Sequence, residues 1–407
     1  MTTTTPHSDF AKPVPAKVAA AVIARDPRLD FFRGIAMYII LVAHIPGNMW
    51  TGWIPARFGY SDATEIFVFC SGMASAIAFG GSFARGGWWI GTARVVFRCW
   101  QVYWAHIALF FFIAMYLAAL DVYGDFDKVY IDTLNLGHFF NDPATNIVGI
   151  FTLSYVPNYF DILPMYLVIL AMMPVLMALA GINLWLTGAA SVMLWLAANM
   201  SALPLPAEPW SDREWYFNPF GWQLLFFTGF ALMSGWLRPP PVSRVLVWLA
   251  LGFVVFSAPF GSWKVFLWVN AAWPELGAVI RPVWALTREL SDKTEFGLLR
   301  YVHFLSLAYL AWVAVGPQGE RLIATGTGAL AAIWRVMLTL ITKVGQQSLA
   351  VFVFSMALAR LIGFAFDQLG RDVITVALGN LIGFAIITAV AYGAGWFKSS
   401  PWRRKAA

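Results

Sequence analysis

Charge is scarce in this chain. Only 12% of its 407 residues are Asp, Glu, Lys or Arg, about half of the roughly 25% usual in a soluble domain, while 60% are hydrophobic. One soluble core cannot take up that much apolar surface, so lipid must. Cysteine is scarcer still. Cys70 and Cys99 are the only two, with no CxxC or metal-like spacing, which argues against a disulfide framework and a zinc site; both read as small packing hydrophobes. No repeat of fixed period appears, and no low-complexity stretch beyond the N-terminal tail and Pro239-Pro240-Pro241. The net charge is +6, but the basic residues are dispersed and form no single stripe, which argues against nucleic acid as a partner.

Long apolar runs are what the chain has instead. A transmembrane helix takes roughly 20 mostly apolar residues to cross about 30 Å of hydrocarbon. Such runs fall near 32 to 50, 63 to 82, 99 to 120, 161 to 180, 183 to 202, 219 to 237, 245 to 262, 298 to 316, 345 to 365 and 373 to 396. The expected fold is therefore all-α: a polytopic membrane protein with about ten transmembrane helices, residues 29 to 397 forming the membrane domain. Residues 1 to 28 form a polar N-terminal tail, so that the first run reads as an uncleaved signal anchor, and residues 398 to 407 a basic C-terminal tail.

An even number of spans puts both termini on one side. The tails together with 83 to 98, 238 to 244 and 317 to 344 gather most of the 27 Lys and Arg, and only Asp9, Asp26, Asp30 and Glu320 among the 21 acids. By the positive-inside rule that side is the cytoplasm. The opposite face carries the larger loops 121 to 160, 203 to 218 and 263 to 297, rich in aromatic and amide residues. Such surfaces suit sugars, and Trp and Tyr equally form the interfacial belt of any membrane protein.

Ionisable residues inside spans are costly and are functional candidates by default. In RLDFFRGIAMYIILVAHIPGN, Arg33 and His44 lie 11 residues apart, close to three turns, so they share a helix face about 16 Å apart along the axis. Asp30 is one turn before Arg33 on that face, and the expectation is one groove lined by an Asp30/Arg33 pair at the cytoplasmic end and an imidazole further out. Snorkelling of Arg33 to headgroups and a helix-to-helix bond from His44 are the plain alternatives. The next run, YSDATEIFVFCSGMASAIAFGG, opens with Asp62 and Glu65 at the spacing of a capping box, which by itself accounts for Asp62. Glu65 falls at the level of His44 in an antiparallel neighbour, where a carboxylate could orient a general-base imidazole.

These residues carry a resemblance. RLDFFRGIA followed by His44 is similar to the Arg, ten residues, His signature of the acyltransferase family 3 membrane proteins, and EIFVFCSG resembles their DxFFxxSG motif, with Glu65 at the acidic position. GQQSLAVFVFSMALA resembles a late-span motif of the same group. VAHIPGNMW, WIPARFGYSDATEIFVFCSGMASAIAFG and WYFNPFGWQLLFFTGF resemble more closely the OpgC family, whose members succinylate osmoregulated periplasmic glucans. Two departures stand out: Arg94 and Arg98 are four apart where the family often has three, and no histidine lies near Ser355.

The resemblance implies an O-acyltransferase of the bacterial inner membrane that moves a succinyl group from cytosolic succinyl-CoA, a co-substrate and not a bound cofactor, to hydroxyls of a periplasmic glucan. His44 would be the general base and Glu65 its partner. Arg28, Arg33, Arg94 and Arg98 are the arginines nearest the donor end, suited to phosphate; positive-inside bias also accounts for Arg94. Asp62, Asn218 and Gln223 are candidates for the acceptor, though such amides also bond between helices. An acyl-enzyme on Cys70, another acyl donor and envelope glycan, and a transporter of acyl groups or glycolipid stand as alternatives.

Overall fold

A computed structural model describes residues 26–403; the expected N-terminal tail up to residue 25 and the last four residues of the C-terminal tail lie outside the described residues. The chain forms α1 (Pro27–His44), α2 (Ala63–Ser75), α3 (Gly81–Tyr123), α4 (Gly137–Asn141), α5 (Pro143–Thr152), α6 (Ile162–Ile182), α7 (Leu184–Asn199) and α8 (Pro219–Met233). It continues through α9 (Arg244–Gly261), α10 (Trp263–Ala272), α11 (Pro274–Thr287), α12 (Leu298–Val315), α13 (Ala329–Gln346), α14 (Ser348–Leu369) and α15 (Val373–Lys398). No strand occurs among the described residues, only an isolated bridge between Pro206 and Glu214.

Among the described residues six helical stretches are long and apolar enough to cross a membrane: Ala63–Tyr123, Ile162–Ile182, Arg244–Gly261, Leu298–Val315, Ser348–Leu369 and Val373–Arg403. Helices α7 and α8 are apolar but shorter. A helix stands at each of the ten expected positions, yet the count of ten is not reached on length and composition. Helix α1 carries Arg28, Asp30 and Arg33 in its first two turns, which dilutes its apolar run.

The expected loop 83 to 98 is helical instead. Helix α2 passes through a π-turn, Ala76–Gly80, into α3, and the one break is Gly87 at φ 70°, ψ −177°, a conformation only glycine adopts without strain. Arg94 and Arg98 therefore ride on a helix. Likewise the expected loop 317 to 344 contains α13, and the aromatic loops contain α4, α5, α10 and α11. Pro143 and Pro274 at first-turn positions start two of these helices, where a missing N–H costs nothing.

Helix α1 runs through the middle, packed by α2, α13 and α14. Its approach to α13 depends on glycine at both contact points: a Cβ on Gly34 would collide with the Ile341 carbonyl, and one on Gly345 with the Asp30 carbonyl. Gly72 and Gly229 bring α2 and α8 together in the same manner. Small residues that let backbones meet are how helices associate where lipid removes the hydrophobic drive between them. Around this crossing lies one large apolar core that includes Met37, Leu41, Phe67, Trp222, Phe226, Phe352 and Met356.

Because the obstacle at Gly345 is backbone and cannot rotate away, Gly345→Ala is expected to destabilise by about 1–3 kcal/mol. A thermal unfolding scan in detergent checks this; a Tm equal to that of the unsubstituted chain would show that α1 and α13 are free to separate.

Candidate active site

His44 ends α1, and its Nδ1 lies 2.7 Å from the carbonyl oxygen of Ile40. A carbonyl only accepts, so Nδ1 carries the proton. In the neutral imidazole Nε2 then holds the lone pair. The ring meets Tyr159 edge-on, centroids 5.3 Å apart at 80°. Tyr159 itself sits at φ 88°, a left-handed backbone that costs a residue with a Cβ and tends to mark functional sites. Its hydroxyl donates to the Met356 carbonyl on α14 at 2.7 Å.

Both rings line a cavity of about 330 Å³, whose wall also includes Asp62, Asp161, Tyr216 and Lys293. The loop after α11 and the start of α2 build its charged side. Asp62 caps α2 by accepting from Thr64 N at 2.7 Å, Glu65 accepts from Asp62 N at 2.7 Å, and together they complete the expected capping box. Lys293 Nζ lies 2.6 Å from Asp62 Oδ2. Arg300, on α12, reaches Glu65 Oε1 at 2.6 Å and 2.9 Å and Asp62 at 3.8 Å. Two acids and two bases thus neutralise one another away from water. Burial pushes the Asp62 carboxyl up, but Lys293 and Arg300 outweigh it and hold it below the usual carboxylate range. Burial likewise works against the Lys293 ammonium, and Asp62 and Glu65 reverse the effect and raise it.

Asp161 differs. It is 5% exposed, has among the described residues no cation paired to it as Asp62 has, and accepts from backbone N–H groups, that of Tyr216 at 3.3 Å. Burial pushes its carboxyl up to about 6, against the lowering by Tyr216 N and Arg213.

The sequence-expected residues divide between two levels. His44 and Asp62 meet in the cavity. Glu65 is fully buried beside it and is held by Arg300, so the imidazole is oriented by the Ile40 carbonyl and not, as expected, by Glu65. Arg33 lies one level away, its Nη2 bonded to the Ser348 hydroxyl and its Nε buried without a partner, with Asp30, Cys70, Tyr166 and Arg98 within electrostatic range. Neither Asp30 nor Arg33 lines the cavity. The expected continuous groove is interrupted by Met37, fully buried between them on α1, and by Phe67 stacked on Phe352.

Arg28 pairs with Asp26 at 2.6 Å and donates to the Gly316 carbonyl at 3.2 Å. Arg94 is exposed, and Arg98 donates to Gln101 at 3.1 Å. Asn218 caps α8 through Phe220 N and donates to the Leu203 carbonyl. Gln223 exchanges both ends of its amide with Ser191 on α7. These two amides are spent on the fold and do not face the cavity, contrary to their expected acceptor role. Cys70 is buried at the Arg33 level, outside the cavity.

Sequence reading missed Asp161, Tyr159, Lys293, Arg300 and Arg360. The rule that singled out Arg33 and His44, an ionisable residue inside an apolar run, applies equally to Arg300 and Arg360. Asp161 precedes a long apolar run as Asp62 does. Lys293 stands in a loop with no local signal.

The family described as OpgC protein matches residues 25–399, nearly the whole chain. The chain belongs to the OpgC family. It is accordingly an acyltransferase that modifies glucans, and with its six membrane-length apolar stretches a membrane protein. No curated protein and no solved structure matches the chain. In this OpgC protein the cavity joins a neutral-competent imidazole, a buried carboxylate and a charge-balanced wall, the materials of proton transfer to and from a hydroxyl.

Asp161 supplies a stability test. Its folded value, about 6, lies above the ordinary 3.8, so its contribution is full below pH 3.8 and is lost as pH rises to 6. Above that, keeping the buried carboxylate ionised costs on the order of 2–3 kcal/mol. Asp161→Asn is expected to melt higher than the unsubstituted chain at pH 7.5, with the gap closing toward pH 4. A pH-independent gap in Tm would contradict a carboxylate whose ionisation burial disfavours.

Proposed function

We propose that this OpgC protein is an O-succinyltransferase of the inner membrane, with both termini in the cytoplasm, that passes succinyl from cytosolic succinyl-CoA to a hydroxyl of a periplasmic glucan. The observation that carries this reading is the His44 imidazole, its Nδ1 proton committed to the Ile40 carbonyl and its Nε2 left as the base in a polar cavity.

The acceptor oxygen bonds to the thioester carbon as its proton passes to Nε2. The tetrahedral intermediate collapses, the carbon–sulfur bond breaks, and the imidazolium returns the proton to the departing thiolate. Ester and free CoA thiol leave, and His44 is neutral again. Asp62 favours the transient imidazolium by charge, against the opposing fields of Arg360 and Lys293. Arg33, whose buried Nε has no partner, faces the CoA side, with Arg98 and the exposed Arg94 available to its phosphates. Arg28, already paired with Asp26, exchanges that partner or stays structural. The thioester reaches Nε2 when Phe67 and Phe352 part, so a closed apolar layer keeps acyl-CoA from water until an acceptor is present.

His44→Ala is expected to remain inserted and monodisperse while succinyl ester formation falls by roughly 10²–10⁴, the usual worth of general acid–base catalysis. Purified protein, labelled succinyl-CoA and glucan, read by mass spectrometry of the glucan, checks it. Undiminished ester in the variant removes His44 from the mechanism, and label crossing a vesicle membrane without ester favours transport.

A further inference from the structure

The donor and acceptor account makes no use of a charged side chain close to His44. Arg360 lies within α14, one of the membrane-length apolar helices, and makes no ion pair with any acid among the described residues. Its Nε is buried without a hydrogen-bond partner. An arginine at such depth is retained only where something anionic or aromatic meets it. The aromatic is present: the guanidinium carbon stands 4.0 Å from the centroid of Tyr159, the ring that meets His44 edge-on.

Helix geometry places Arg360 behind Tyr159, one layer outside the residues that line the His44 cavity. Phe352 and Met356 line the His44 cavity, and Arg360 is the next residue on that i, i+4 stripe. Side chains on a helix lean toward its N-terminus, so Arg360 lies back over the turn of Met356, where the Tyr159 hydroxyl is anchored to the Met356 carbonyl. Its field reaches the imidazole. The guanidinium stacks on the Tyr159 ring and donates a hydrogen bond to its hydroxyl oxygen, which leaves the unpartnered Nε side of its edge to bond a carboxylate.

Lengths agree with that use. In an extended four-carbon diacid the far carboxylate oxygens lie about 5 Å from the reacting carbonyl carbon, and a guanidinium N–H reaches about 3 Å further. Arg33 lies at the opposite end of α1 from His44, so an acyl chain whose CoA points to Arg33 carries its far end past His44 toward the Arg360 side. Lys293, the other cation near His44, is held by Asp62 at 2.6 Å within a cluster that already balances.

We infer that Arg360 is the anchor for the distal carboxylate of a dicarboxylic acyl group, and thereby selects succinyl over uncharged acyl donors of the same length. This rests on the acyl-transfer reading of the His44 cavity, and the test separates the two.

The purified full-length protein is assayed for ester formation on glucan with succinyl-CoA and with butyryl-CoA, the uncharged four-carbon analogue. The unsubstituted chain is expected to prefer succinyl. In Arg360→Gln the ratio of kcat/KM for succinyl over butyryl is expected to fall at least tenfold, mainly through KM for succinyl-CoA. Arg360→Lys, which keeps the charge and loses the two-pronged edge, is expected to fall between the two and carries the test if the Gln variant does not fold. A ratio unmoved in either variant, with both donors slowed alike, makes Arg360 a packing partner of Tyr159 and overturns the proposal while the acyl-transfer reading stands. No ester from either donor in the unsubstituted chain overturns that reading and the anchor with it.

Discussion

Asp62, Glu65, Lys293 and Arg300 share one buried cluster beside His44, and the cavity owes its shape to their mutual neutralisation. Glu65 and Arg300 have lost water and Asp62 and Lys293 are half-buried, so the buried pair depends on its partners; removing one member of a buried ion pair typically costs about 3–5 kcal/mol because the other is left buried alone. The cluster ties the start of α2 to the loop after α11 and the first turn of α12, two consecutive segments far from α2 in sequence. It also faces Lys293 and Asp62 toward the imidazole. The capping box of α2 belongs to the same network, since the Glu65 oxygen that closes the box is attached to the carboxylate Arg300 grips.

Around that cluster several polar side chains find their partners within the packed helices, while Arg33 Nε and Arg360 Nε stay unpartnered. His44 is oriented by a carbonyl of its own helix, four residues back, and needs no separate carboxylate to set its tautomer. Tyr159 is pinned by the Met356 carbonyl between His44 and Arg360, and its left-handed backbone is held by the packing around it. Close helix crossings at Gly34 and Gly345 seat α1 against α13, placing Arg33 at one level and His44 at the other. Between them Met37, Phe67 and Phe352 form an apolar partition. Under the proposed transfer from acyl-CoA, such a partition would keep water from the thioester.

The family resemblance read from RLDFFRGIA, His44 and EIFVFCSG agrees with the match over residues 25–399. Helix positions were also legible, because a run of some 20 apolar residues permits little except a buried or lipid-facing helix. Loops read less well. Residues 83 to 98 and 317 to 344 look like polar connections by their arginines, yet α3 and α13 occupy them, since a helix with one charged face satisfies its backbone as well as any other. The sequence suggests Glu65 as the carboxylate beside His44, but its partner is Arg300, 235 residues away; spacing along one helix says nothing about such a distance.

By itself the sequence determined an all-helical, lipid-embedded chain of this family, and a first helix with Arg33 and His44 on one face. Those follow from composition and the 3.6-residue period, which are local. Only tertiary structure decided which groups gather around the imidazole: Asp161 from the entry to α6, Lys293 from a loop, Tyr159 from a strained turn and Arg360 from α14. The reason is that a polar group removed from water must find its partner wherever the packed helices bring one, and that meeting is set by how helices cross.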